Sequence, residues 1–202
     1  MSHSSALIDQ AVGAELALRL RSLGFRKTAR NFRRATPASL QIVNVQGSAW
    51  NFPESARFTV NLGVWLPAAA EALGEAPLDR APPEYQCHVR SRIGMLSPDG
   101  RDLWWEITET DQIPAVAKDL AAAVVHIGMP WLDQFAAPAP AAAFCRDNLL
   151  FAHAAALAAA AGDRLQAEFD LARALQQSRA DSNRTLRAWA DVRELRPRPT
   201  TA

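Results

Sequence analysis

Between Leu40 and Pro67 the chain reads LQIVNVQGSAWNFPESARFTVNLGVWLP, two strand-like runs joined by a polar linker. In the second run Phe58, Val60, Leu62, Val64 and Leu66 alternate with Thr59, Asn61, Gly63 and Trp65. A period of two is that of a half-buried β-strand, because successive side chains point to opposite faces. The less apolar face carries an amide, a glycine and an indole where charged residues are commoner. This stretch commits the middle of the chain to a pleated sheet and marks a candidate contact surface.

The flanking segments build outward from that sheet. Ile8, Val12, Leu16, Leu20 and Leu23 recur at steps of three and four, an amphipathic helix with Ser5 as cap and Gly24 as stop. Phe25–Arg30 and Asn31–Ala35 can pair as a first, basic hairpin. Cys87–Leu96 alternates again, Ser97-Pro98-Asp99-Gly100 is a tight-turn sequence, and Arg101–Thr108 returns, which predicts a second hairpin. Ile113, Val116, Leu120, Val124 and Ile127 mark a helix over Asp111–Ile127, with Thr110 or Asp111 as its cap. Strands set between helices favour an α+β class over a parallel sheet. The expected architecture is an antiparallel sheet of about five strands, with the helices Ile8–Leu23 and Asp111–Ile127 on one face, followed by a C-terminal α-helical hairpin.

Residues 1–136 form this α+β domain in our reading, and the Ala/Pro-rich 137–142 reads as a flexible joint. Residues 143–195 read as a helical appendage, with helices over Phe144–Ala160, Asp163–Gln177 and Asn183–Leu195 and a break at Gly162. Its first two helices weakly resemble one tetratricopeptide-type hairpin, although such repeats bury their faces only in arrays. Residues 196–202 read as a flexible tail.

A net charge of +1 on 202 residues creates no strong overall field for nucleic acid or membrane. The charge is uneven: Arg19, Arg21, Arg26, Lys27, Arg30, Arg33 and Arg34 fall in a stretch with no acid. Cys87 and Cys145 are far apart and outside any metal-ligand spacing. The first residues lack a basic segment before an apolar one, and no charge-free run of about 18 apolar residues occurs. These features lead us to expect a reduced, cytoplasmic protein with no membrane association, metal or cofactor.

No catalytic constellation emerges. Glu106, Glu109 and Asp111 splay apart where a strand leads into a helix. Cys87 and His88 are strand neighbours and point to opposite faces. His126 sits near a helix end, where the helix dipole favours positive charge. Zinc spacings, phosphate-cradling glycine loops and serine elbows are missing from the sequence. Two surfaces remain. The hairpin residues Arg26, Lys27, Arg30, Arg33 and Arg34 interleave with Phe25 and Phe32, as in single-strand binders. The second candidate face comprises Asn44, Gln46, Asn61 and Arg92, with Trp50, Trp65 and Trp104 as aromatic anchors. Its amides either bridge neighbouring strands or present a recognition face. The parity of Leu40–Gln46 is ambiguous, because Ile42 and Val43 are both apolar.

The order Gly24-Phe25, then Asn44, Gln46 and Trp50, then Phe58 with Asn61-Leu62-Gly63, continues with Arg92-Ile93-Gly94, Trp104-Trp105, and finally Gly128, Pro130, Leu132 and Phe135. This series resembles the family catalogued as domain of unknown function 4304, over roughly Leu7–Phe135. The resemblance implies an α+β domain and brings no catalytic residues. The expected function is that of a bacterial, non-enzymatic protein-binding molecule, such as a toxin-neutralising (immunity-type) protein. It would act through its sheet face and its C-terminal helices, which could also pair two copies into a homodimer. Nucleic-acid binding through Arg26–Arg34 and an enzyme with a dispersed site are the alternatives.

Overall fold

The computed structural model describes residues 2–52, 55–76, 80–177 and 180–198. In chain order the elements begin with α1 (His3–Ala11), α2 (Ala17–Ser22), β1 (Arg26–Thr28), β2 (Asn31–Ala35), β3 (Leu40–Gly47) and β4 (Ala56–Trp65). They continue with α3 (Pro67–Ala72), β5 (Val89–Arg92), β6 (Trp105–Ile107), α4 (Ile113–Ala123) and α5 (Met129–Asp133). The last four are α6 (Pro138–Asp147), α7 (Phe151–Ala160), α8 (Arg164–Gln177) and α9 (Ala180–Val192). They divide into two compact units, the first made of residues 1–35, 40–65 and 82–133 and the second of 36–39, 66–81 and 134–202.

The first unit is an antiparallel sheet of six strands in the order β1-β2-β3-β4-β5, with β6 also on β4. One face is apolar. Phe32, Val43, Val45, Phe58, Val60, Leu62 and Ile107 are buried there. Leu7, Ile8, Val12 and Leu16 from the N-terminal helix, Ala117 and Leu120 from α4, and Val124 from the turn that continues it are buried with them. Burying each larger side chain contributes about 1.5–3 kcal/mol. Both helices carry a π-helical turn, at Val12–Leu16 and at Val124–Gly128, where a regular α-helix was expected. The helical stretch Thr110–Asp133 is long and apolar enough by length and composition to cross a membrane. In this fold its stripe of Ala117, Leu120 and Val124 lies inside the first unit.

The expected second hairpin does not form. β5 pairs with Asn61–Val64 and β6 with Ala56–Phe58, so the two lie end to end along one edge of β4. The tight turn is present, with the Gly100 amide donating to the Ser97 carbonyl (2.9 Å). Before it, however, Ile93–Leu96 coils into a 3₁₀ turn. The returning chain then crosses directly over Gly94, where a Cβ would stand 2.3 Å from the Arg101 carbonyl oxygen and from the Leu103 nitrogen. Only glycine leaves room for that crossing. The start of the α4 segment also differs from expectation. Its cap is Glu109, because Gln112 Oε1 reaches back to the amides of Thr108 (2.9 Å) and Glu109 (3.3 Å).

In the second unit α7 packs against α6, α8 and α3. Two expectations are corrected here. Residues 138–147 are helical where a flexible joint was expected. Pro138 and Pro140 fall within the first turn, where backbone N–H groups have no partner inside the helix, so proline removes nothing. The helix expected over Phe144–Ala160 is broken at Leu149, whose φ is 61°. There the Leu150 amide bonds the Cys145 carbonyl (2.8 Å) and the Leu149 amide bonds that of Arg146 (3.0 Å), a Schellman cap built on a non-glycine residue. In the stretch read as a tail, the Arg196 amide and the Arg198 guanidinium both donate to Glu168 (3.2 and 2.6 Å).

Candidate recognition surface

Strand register settles which side chains share the polar face. Asn31 pairs with Asn44, Asn44 with Asn61, and Asn61 with Arg92, one row across four strands. Asn44 Nδ2 donates to Asn31 Oδ1 (2.9 Å), and Asn61 Nδ2 donates to Asn44 Oδ1 (3.3 Å) and Gln46 Oε1 (2.6 Å). Asn61 is only 6% exposed, so these bonds satisfy a side chain that water cannot reach. The amides therefore do bridge neighbouring strands. The parity ambiguity also resolves. Ile42 lies on this face opposite Gly63, and Val43 lies on the apolar face opposite Leu62. Ile42 is nevertheless fully buried. The 3₁₀ turn Glu84–Gln86 packs on β3 and β4, and a Cβ at Gly63 would lie 2.8 Å from Cys87 Sγ.

Beyond the amide row, toward β6, the face opens. Arg92 Nη1 binds Asp102 Oδ2 (2.6 Å), and Trp104 Nε1 donates to the same oxygen (2.9 Å). The Arg57 and Arg92 guanidinium carbons lie 5.0 and 5.5 Å from the Trp104 ring centroid. One carboxylate and two cation–π contacts thus hold a half-exposed indole in place. Gln46 and Arg57 are exposed beside it, and Glu106 stands opposite Arg57 in register. Arg57, Asp102 and Asn31 are members of this surface that the sequence reading did not nominate. Arg57 has the same strand parity as Thr59 and Asn61, and that signal could have placed it.

The seven predicted face residues do not form one cluster. Asn44, Gln46, Asn61, Arg92 and Trp104 come together. Trp50 lies in the β3–β4 connection and is 85% exposed. Trp65 stacks on His88 (4.2 Å between centroids). It ends β4, roughly 25 Å along the strand from Arg57 at about 3.3 Å per residue.

The basic hairpin forms as expected, but its cations do not make one patch. Arg30 turns inward to Asp9 (2.7 Å) and to the Ser5 carbonyl (2.8 Å). Arg34 binds Gln41 (2.8 Å) and Asp133 and lies over Phe25. Gln41, itself fully buried, passes the chain of bonds on to the Leu132 carbonyl (2.6 Å). Arg26 and Arg33 are register partners on the polar face, and Lys27 pairs with Phe32 on the other.

Among the described residues no three His, Cys, Asp or Glu side chains come together as a metal set. Burial pushes the Cys87 thiol up to about 12, with the Glu84 carboxylate adding to the effect. Burial alone pushes Cys145 up to about 12. Both thiols stay protonated at neutral pH and are poor nucleophiles.

Helices on one side of an antiparallel sheet, with a hydrogen-bonded polar face on the other, define an α+β domain. Residues 16–134, more than half of the chain, match the sequence model of the family described as Domain of unknown function (DUF4304), and the protein belongs to that family. No curated protein and no solved structure matches the chain.

Proposed function

We propose that this protein is a non-enzymatic binding protein whose partner is another protein, held at the open end of the sheet by Trp104, Arg57, Arg92 and Gln46. The observation that carries the reading is the immobilised Trp104. It is fixed by Asp102 and two guanidiniums yet half exposed. Tryptophan and arginine are the residues most enriched at binding hot spots, and a pre-ordered side chain loses little entropy on docking. The finer form of the proposal is a toxin-neutralising, immunity-type role. A rigid strand surface rich in amides, with both charge signs at its rim, suits one tight and specific partner. The basic hairpin supports nucleic-acid binding less well, because Arg30 and Arg34 are engaged within the first unit.

The test is co-purification from the native host with wild type, Trp104→Ala and Arg57→Ala, each checked for native circular dichroism. One saturable protein partner, lost in both variants, supports the proposal. A partner kept by both variants, or turnover of a metabolite by the purified protein, overturns it. A toxin encoded beside this gene and neutralised by its co-expression would establish the finer form.

A further inference from the structure

The second unit contains a groove of about 370 Å³, within the ~300–1,000 Å³ span of small-molecule sites. Its floor is Ala156, Ala159 and Ala160 of α7. Their methyl groups are too short to fill the space before α9, and Trp189 forms one wall. Three charged side chains line it: Arg164, Arg193 and Glu71. Arg193 Nη2 binds Glu71 (2.6 Å) while its guanidinium lies over the Trp189 ring (5.1 Å). Arg164 is held by Glu168 (3.3 Å) and by the Glu194 carbonyl. Both cations are thus oriented at the rim of an apolar floor. A guanidinium carries five N–H donors, more than these contacts use.

From this we infer that the groove binds a small organic monoanion with an apolar body, of the class of medium-chain or aryl carboxylates. The body lies on the alanine floor against Trp189, and the carboxylate meets the Arg164 and Arg193 forks. Charge complementarity selects the class. The lining carries two cations against one exposed carboxylate, and arginine forks fit planar oxyanions. Glu71 makes one bond to Arg193 (2.6 Å) from an exposed position, so an incoming carboxylate can share or replace it. The inference is independent of the sheet-face proposal, which involves other residues.

Octanoate is the probe, titrated into the full chain by isothermal titration calorimetry, with octanol as its neutral counterpart. Saturable 1:1 binding of octanoate is expected, with octanol weaker by about tenfold or more, the usual consequence of losing a charge-assisted hydrogen bond. Arg193→Gln should weaken octanoate by a similar factor of about ten. Ala159→Leu, which fills the floor with a good helix former, should abolish binding while the thermal midpoint is retained. Equal affinity for octanol, undiminished binding by Ala159→Leu, or no saturation with octanoate would each overturn the inference. So would a peptide carboxy-terminus that binds where octanoate does not.

Discussion

The two units bury polar side chains in opposite ways. In the sheet, neutral amides answer one another across strands, Asn31 to Asn44 to Asn61, with Gln46 as a further acceptor. In the helical unit, buried carboxylates on α8 are answered by arginines from distant parts of the chain. Arg146 of α6 forks onto Asp170 with bonds of 2.8 to 3.0 Å, and Asp170 is 1% exposed. Glu168, one turn-fraction away on another side of α8, takes Arg198 and the Arg196 amide. The contrast is one of risk. A neutral amide that loses its partner costs one hydrogen bond, and a nearby exposed group can turn to water. A carboxylate that loses its cation is left charged in a poorly solvating interior.

That contrast is breakable by mutation. The largest effect should come from Arg146→Ala, which strands Asp170. A loss of about 3 kcal/mol is expected in urea unfolding, and the double variant Arg146→Met with Asp170→Leu should recover much of it. A single loss below 1 kcal/mol would show that Asp170 is not held as an ion. Next is Asn61→Ala, expected to cost about 1–2 kcal/mol because Asn44 Oδ1 loses a donor in a half-buried place. Adding Arg92→Ala should cost little more, since that ion pair is partly exposed. If the double variant fails to fold, the row is a structural device and the recognition surface narrows to Trp104 and Arg57.

Leu149→Gly tests strain in the helical unit. Leu149 is 65% exposed and sits at positive φ, so glycine should raise stability by about 0.5–1 kcal/mol in the same assay. A decrease would mean that its side chain contributes contacts worth more than the strain.

The smallest expected effect is a slope in pH. The hydrogen bond from Arg198, helped by the Arg196 amide, lowers the Glu168 carboxyl below its ordinary 4.5. The folded state therefore binds this proton less readily than the unfolded chain. Its stabilisation is complete above the unfolded value and disappears as pH falls through the folded one. Glu168→Gln should flatten the loss of stability below about pH 4.5, and an unchanged acid limb in thermal melts would refute the pairing.

Much of the first unit was legible because its signals are local. Alternation along Phe58–Leu66, the 3.6-residue stripe through Leu16 and Leu20, and the Gly24 stop each follow from a few neighbouring residues. The amide bridge was half legible. Asn44 and Asn61 stood out as poor strand formers, but only register joined them to Asn31 and to each other. Trp65 and Trp50 read like Trp104 in sequence, yet one stacks on His88 and the other rides an open connection. The joint at 137–142 was misread because proline is read as a breaker, although in a first turn it removes no hydrogen bond.

By itself the amino-acid sequence determined the α+β class, the antiparallel sheet between two long helices and the family, because period, turns and caps are set by residues within a few positions. Tertiary structure alone decided that β5 and β6 share an edge of β4, that Arg30 and Arg34 turn inward, and that Asp170 meets Arg146. Each depends on groups far apart in the chain, and sequence spacing carries no record of which distant partner arrives at hydrogen-bonding distance.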